Sequence, residues 1–146
     1  MNGADFLDAS VLIYAYQFDD PEKQRVAQEL IRKALAGPSV ISTQVLAEFA
    51  ATLLHKFSAP ANGEAVIALL DQFLTIKLVL PDAELVRRAV EAHLSYGLHF
   101  YDGMIVAAAE RAGCKRIWSE DLNAGQEYFG VTVENPFQQQ SDSSGS

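Results

Sequence analysis

Cysteine is almost absent from this chain of 146 residues, in which Cys114 stands alone. A single cysteine excludes an intramolecular disulfide and any metal site built from several thiolates, and it agrees with a reducing compartment. Long apolar runs are missing too, since no stretch approaches the ~20 apolar residues that a membrane-spanning helix needs. The opening "MNGADF" has neither the basic nor the apolar segment of a signal peptide. We therefore expect a cytoplasmic protein with no membrane segment.

Basic residues are also few, with 11 Lys and Arg against 19 Asp and Glu and a net charge of −8. This balance argues against a protein that is held on nucleic acid by a general basic surface. It leaves room for an acidic site that binds divalent cations, because the bound metal then reverses the local charge. The length and the 49% of hydrophobic residues indicate one globular domain. We expect it to span residues 1–137, followed by a polar, disordered tail at 138–146.

Short apolar segments alternate with amphipathic ones along the chain. Strands are expected in the segment that ends near Asp8 and in "SVIS", "IKLVL", "KRIWS" and "VTVEN". A helix is predicted at Pro21–Ala36, Thr43 is expected to cap the next one, and "EDLNAGQEYFG" is interpreted as an irregular loop. This alternation predicts an α/β fold with helices on both faces of a mostly parallel sheet. Such folds bind ligands at the carboxyl ends of their strands.

Four carboxylates fall near those strand ends. Asp8 lies at the end of the first strand, and Asp121 lies just past "KRIWS". Asp102 opens the helix that leads into that strand, and Glu48 lies about one turn into the helix after "SVIS". We expect these four side chains to converge on one edge of the sheet.

Each of the four acids also has a simpler interpretation. Asp8, Asp102 and Asp121 precede plausible helical turns, where an Asp cap contributes about 1 kcal/mol. Glu48 lies on a polar helix stripe and is expected to be solvated. Their joint placement favours a site, because clustered carboxylates repel one another and hard divalent cations relieve that repulsion. A metal-bound water beside a phosphodiester is a nucleophile for hydrolysis, and a second ion can stabilise the leaving oxygen.

The segments that carry the four acids also resemble a known family. The motifs are "FLDASVLIYAY" with Asp8, "STQVLAEFAATL" with Glu48, "HFYDGMIVAAAERAGC" with Asp102 and "IWSEDLNAGQ" with Asp121. In order and approximate spacing they resemble PIN-domain ribonucleases, specifically the VapC-type toxins of bacterial toxin-antitoxin pairs. The resemblance covers the chain up to about Phe137.

The resemblance implies an endoribonuclease that depends on Mg²⁺ or Mn²⁺ and has a three-layer α/β/α sandwich with a mostly parallel central sheet. Asp8, Glu48 and Asp102 would bind the principal metal ion. Asp121 would complete the acidic site, so that all four acids count as catalytic and metal-binding candidates. Family members commonly dimerise and are silenced by a small antitoxin, so we expect a homodimer, a cognate antitoxin and an RNA substrate.

Two details depart from the usual family pattern. The family often has Thr and then Asn after the first Asp, where this chain has Ala9 and Ser10. Ser10 and Ser119 are therefore the hydroxyls expected to orient ligands or the scissile phosphate. In the last motif Glu120 and Asp121 are adjacent. Asp121 is favoured as the fourth acid, because the family usually leaves one residue between the Ser or Thr and the acid.

Other interpretations remain open at this point. The chain could be a catalytically silent PIN-like module that binds RNA or protein, or another Mg²⁺-dependent α/β enzyme such as a phosphatase. His99 lies close to Asp102 and is a secondary candidate for substrate contact. We interpret most of the aromatic residues near these motifs as core groups rather than as base-stacking groups; they are Tyr14, Tyr16, Phe18 and the "HFY" stretch.

Overall fold

Short strands and longer helices alternate in the computed structural model, which describes residues 3–17, 19–56 and 62–138. Phe18 and the predicted tail from residue 139 onward lie outside these ranges. The elements, in chain order, are β1 (Asp5–Leu7), α1 (Ala9–Tyr14), α2 (Pro21–Ala36), β2 (Ser39–Ser42), α3 (Thr43–Lys56), α4 (Asn62–Phe73), β3 (Lys77–Val79), α5 (Ala83–Tyr96), α6 (Phe100–Arg111), β4 (Arg116–Trp118), β5 (Glu127–Tyr128) and β6 (Val131–Glu134).

The strands form one sheet in the order β3-β2-β1-β4-β6-β5. All neighbouring strands pair in parallel except β5 and β6, which are antiparallel. Helices α1, α2 and α3 pack together, and α5 packs against α6. The expected three-layer α/β/α sandwich with a mostly parallel sheet is confirmed. β1 lies between β2 and β4, so the carboxyl ends of these three strands meet at one edge of the sheet.

Two predicted helix starts are shifted. The hydroxyl of Ser42, rather than that of Thr43, accepts the hydrogen bond from the backbone N–H of Val45 at 3.3 Å, and α3 already begins at Thr43. Helix α6 begins at Phe100, two residues before Asp102, and its cap is His99. In both cases two nearby polar residues can each cap the helix. The direction in which the backbone enters the helix determines which of them does so.

The predicted irregular loop contains the antiparallel strand β5. The hairpin between β5 and β6 turns at Phe129 and Gly130, which have φ angles of 52° and 82°. Two-residue hairpin turns of this kind usually carry Asn or Gly where this chain has Phe129, so the sequence lacks the ordinary signal. The guanidinium of Arg88 lies 3.5 Å from the centre of the Phe129 ring. The hydroxyl of Tyr96 accepts the Phe129 N–H at 3.0 Å, which fixes the turn from α5.

Helix α6 is buried on nearly every side, as its apolar composition predicts. Its closest contact is with α5 at Gly103, where an added Cβ would lie 2.8 Å from the backbone oxygen of Ala89. Glycine is therefore required for the two helices to approach this closely. In the described part of the chain no helix is both long enough and apolar enough to cross a membrane.

Candidate active site

Asp8 is a buried carboxylate at the carboxyl end of β1, with only 5% of its surface exposed. It occupies the cap position of α1, and its Oδ1 accepts the N–H of Ala9 at 2.7 Å. Its Oδ2 accepts a hydrogen bond of 2.7 Å from the hydroxyl of Ser119, which follows β4 on the neighbouring strand. A cap normally bonds to the second or third N–H of the helix. The cap interpretation therefore explains the position of Asp8 and leaves its contact with Ser119 unexplained.

Ser119 is fully buried and organises the loop after β4. Besides donating to Asp8, its hydroxyl accepts the N–H groups of Asp121 at 3.1 Å and Leu122 at 3.2 Å. On the other side, the Ser10 hydroxyl accepts the N–H of Glu120 at 3.1 Å. Both serines thus hold the protein backbone beside Asp8. Direct contact of either hydroxyl with a phosphate stays a prediction.

Glu120 and Asp121 are held in different surroundings. The ammonium group of Lys23 on α2 donates to the carboxylate of Glu120 in a close ion pair. The same group donates to the Tyr14 hydroxyl at 3.3 Å and lies 4.7 Å from the centre of the Tyr14 ring. The carboxylate of Glu120 is therefore already paired with a cation on α2. This supports Asp121, rather than Glu120, as the fourth acid of the site.

Glu48 lies on the exposed face of α3, as its helix position predicts. The side-chain amide of Gln44, one turn earlier, donates to Glu48 Oε2 at 3.0 Å and to the backbone oxygen of Tyr101 at 3.1 Å. Tyr101 immediately precedes Asp102, so a single amide connects the two helices that carry these acids. Sequence reasoning placed Gln44 and Glu48 on one stripe but missed this bridge, since its far end lies 57 positions away.

Asp102 is half-buried in the first turn of α6. The cap of that helix is His99, whose Nδ1 accepts the N–H of Tyr101 at 3.3 Å. Asp121 lies in a non-helical loop. The cap interpretation is therefore wrong for Asp102 and Asp121, which leaves their carboxylates available for another role.

The negative charges of the four acids influence one another's pKa values in pairs. Burial raises the pKa of Asp8 to about 6, with further increases from the charges of Asp121 and Glu48 and opposing effects from its hydrogen bonds. Partial desolvation also raises the pKa of Asp121, as do Glu120 and Asp102. Desolvation raises the pKa of Asp102, against a lowering effect of His99. The structure thus brings Asp8, Glu48, Asp102 and Asp121 to one edge of the sheet, which we call the acidic edge.

The chemistry of the acidic edge suits a hard divalent cation. Its donors are carboxylate oxygens alone, which Mg²⁺ and Mn²⁺ prefer. In the ranges described, no three His, Cys, Asp or Glu side chains lie close enough together to hold an ion between them. Glu48 and Asp121 are exposed, so a change of rotamer is open to both. The pKa of Asp8 is raised mainly by burial and to a smaller extent by the charges of Asp121 and Glu48, and a bound cation would stabilise its ionised form.

Comparisons with known proteins bear on the family and the fold of this chain. A family model of the PIN domain matches residues 6–126. VapC20 of Mycobacterium tuberculosis, a Sarcin-Ricin loop cleaving toxin, superposes with a TM-score of 0.63 at 19% identity, over 81% of this chain and 92% of that chain. A toxin-antitoxin complex from Klebsiella pneumoniae gives 0.67 at 17% identity, over 93% and 100%. VapBC2 from Rickettsia felis, bound to a DNA fragment from their promoter, gives 0.65 at 14% identity, over 90% and 98%.

No curated protein sequence matches the chain significantly. At these identities the similar structures bear on the fold, and they agree on one architecture over most of the chain. The family match is independent of them and includes all four positions of the acidic edge. Sequence, fold and site therefore lead to one conclusion: the chain belongs to the PIN domain family.

Proposed function

We propose that this protein is a metal-dependent endoribonuclease that hydrolyses RNA phosphodiester bonds and acts as the toxin of a toxin-antitoxin pair. The observation that carries the proposal is the acidic edge, where a carboxylate with 5% exposure lies within electrostatic reach of other acids. A scaffold gains no stability from like charges brought together. The arrangement is useful to a nuclease, because bound cations offset the charge of both the site and the substrate.

In this proposal Asp8, Glu48 and Asp102 hold the principal Mg²⁺ or Mn²⁺ ion, and Asp121 completes the site. The ion, when bound, activates water and neutralises charge on the phosphate. The chain's own polar groups set the geometry of the acids. Ser119 fixes Asp8 and the loop that carries Asp121, and Gln44 fixes Glu48 relative to the start of α6.

The expected partners are part of the same proposal. One similar structure is a toxin-antitoxin complex and another is a toxin, which supports a cognate antitoxin as the partner of this chain. A homodimer and a cytoplasmic location are the corresponding expectations for its assembly and its place of action. Membership of the PIN family removes the phosphatase alternative. A catalytically silent binding module is the alternative that remains for experiment.

The decisive experiment is cleavage of a mixed pool of small structured and single-stranded RNAs by the purified chain with Mg²⁺, with Mn²⁺ and with a chelator. Asp8→Asn is measured in parallel to expose contaminating nuclease. Glu64→Gln, which removes a carboxylate from the exposed start of α4, is the matched control. We expect metal-dependent cleavage by the unmodified and Glu64→Gln chains and none by Asp8→Asn. Equal cleavage by all three, or by none, contradicts the proposal and favours the silent module.

A further inference from the structure

Two exposed rings lie beside the acidic edge at the start of α6. Tyr101 precedes Asp102 directly and is 56% exposed. His99 is exposed as well, and its ring centre lies 6.0 Å from that of Tyr101 with an interplanar angle of 31°. We call His99 and Tyr101 the aromatic rim. The sequence favoured core packing for most of the aromatic residues near the motifs, and Tyr101 is an exception.

Other aromatic side chains near the motifs are used by the fold. Tyr14 packs on Phe137 with ring centres 4.8 Å apart, and Tyr16 packs on Phe49 at 5.8 Å. The Tyr101 ring also makes an edge-on contact, with Phe100 at 5.1 Å, but more than half of the residue stays exposed, and its backbone is anchored separately. Its N–H donates to His99, and its carbonyl oxygen accepts from Gln44. The backbone is therefore fixed next to the acids while most of the side chain faces solvent.

We propose that the aromatic rim is a nucleobase subsite, in which Tyr101 and His99 stack on a base of single-stranded RNA next to the phosphodiester held at the acidic edge. This inference rests on the proposed nuclease function and adds to it a part of the substrate other than the scissile phosphate. The protein carries a net charge of −8, so its surface as a whole gives RNA little electrostatic attraction. Stacking on aromatic rings supplies affinity that does not depend on charge.

The subsite also predicts which bases of the substrate can bind there. Bases in an RNA duplex are stacked on one another, whereas bases in loops and single strands can lie on an aromatic side chain. Every base has a flat aromatic face, so a stacking subsite is tolerant of sequence. The aromatic rim should therefore bind a base that is already unpaired and discriminate little among the four bases.

The test measures binding and turnover separately. Binding of a short, fluorescein-labelled single-stranded RNA of mixed sequence is followed by anisotropy with Mg²⁺, in the Asp8→Asn chain to prevent cleavage. Into this background are placed Tyr101→Phe, which keeps a ring, Tyr101→Ala, and Tyr101→Leu, which keeps an apolar side chain without a ring. Leu35→Ala, an exposed apolar position at the end of α2 and toward the opposite edge of the sheet, is the control. Melting temperatures show that each variant is folded.

We expect Tyr101→Ala and Tyr101→Leu to raise the Kd about 10- to 100-fold, as loss of one base–aromatic stack does. Tyr101→Phe and Leu35→Ala should leave the Kd of the Asp8→Asn chain unchanged. An abasic strand of the same length should bind all of these chains with equal Kd. In the cleavage-competent chain Tyr101→Leu should raise KM and leave kcat nearly unchanged. If the Asp8→Asn chain binds RNA, the unmodified chain cleaves it, and Tyr101→Leu changes neither Kd nor KM, the subsite is wrong and the nuclease proposal stands. If the Asp8→Asn chain does not bind RNA and the unmodified chain does not cleave it, both are wrong.

Discussion

At the scale of single residues, Asp8 makes the stability of the fold depend on pH. Its pKa is raised from 3.8 to about 6, so the folded chain holds this proton more tightly than the unfolded chain. The stability that Asp8 contributes is therefore fully present below about pH 4 and is lost as the pH rises through about 6. At about 1.4 kcal/mol per pH unit, the loss approaches ~3 kcal/mol at neutral pH.

Asp8→Asn should remove this loss because an amide does not ionise. Without metal, we expect the variant to unfold with a free energy up to ~3 kcal/mol above that of the unmodified chain near neutral pH. Below about pH 4 the gain should vanish, since both side chains are then neutral. Urea titrations in a chelator across this range measure the difference, with Glu64→Gln as the control. A difference that does not change with pH would show that Asp8 acts as an ordinary cap.

Gln44 gives a second prediction at this scale. Gln44→Ala removes the amide that connects Glu48 with the backbone before Asp102. Loss of a group that orients a metal ligand typically costs about 10- to 100-fold in metal affinity or activity. We expect the Mg²⁺ concentration for half-maximal cleavage to rise by about that factor. Thr52→Ala, one turn beyond Glu48 on the same helix, should leave this Mg²⁺ concentration unchanged. An equal increase in both variants would show that the hydrogen bonds of Gln44 do not position the metal site.

The sequence marked four candidate acids but not the groups that hold them in place. Asp8, Glu48, Asp102 and Asp121 were marked by their place relative to strands and by motif order. The role of Lys23 was not predicted, because its partner Glu120 lies 97 positions away and no local sequence pattern indicates such a contact. Long-range polar pairing of this kind becomes visible only once the sheet order is known.

At the scale of elements, the contact between α5 and α6 controls where Asp102 lies. Gly103→Ala would bring a methyl group to 2.8 Å from the Ala89 carbonyl oxygen, so the helices must separate. Overpacking of this kind typically costs about 1–3 kcal/mol. We expect a loss of that size in urea unfolding, together with weaker metal binding, since Asp102 moves with α6.

Gly63→Ala on α4 is the matched control for this variant. Its added methyl group meets no atom within 4 Å. Alanine is also favoured over glycine in a helix by about 0.5–1 kcal/mol, so this change should stabilise the chain slightly. Destabilisation by both substitutions would show that close packing is not the cause.

Elements with strong local signals were predicted well, and those with weak signals were not. Helix α2 was predicted at its observed bounds because it has a proline at its start, a glycine after its end and a clear amphipathic period. Strand β5 was missed because it has two residues, and its turn carries Phe129 in place of Asn or Gly. Contacts with α5, from Arg88 and Tyr96, hold its turn, and the buried Tyr128 packs on Tyr96.

At the scale of the whole molecule, the balance of charge predicts that divalent cations stabilise the fold. A ligand that binds only the folded state adds about 2.7 kcal/mol when its concentration is one hundred times its Kd. Millimolar Mg²⁺ or Mn²⁺ should therefore raise the melting temperature of the unmodified chain, and much less that of Asp8→Asn. Sodium chloride at matched ionic strength separates binding from general screening. No shift at any metal concentration would contradict a metal site at the acidic edge.

The hydrogen bond between Ser119 and Asp8 joins residues 111 positions apart. Asp8 therefore leaves the ribosome long before β4 and Ser119 do. Until then Asp8 lacks the partner that orients it, and Asp121 has not been made. The acidic edge is thus assembled only late in synthesis, and a chain that ends before β4 holds Asp8 without its orienting hydroxyl and without Asp121.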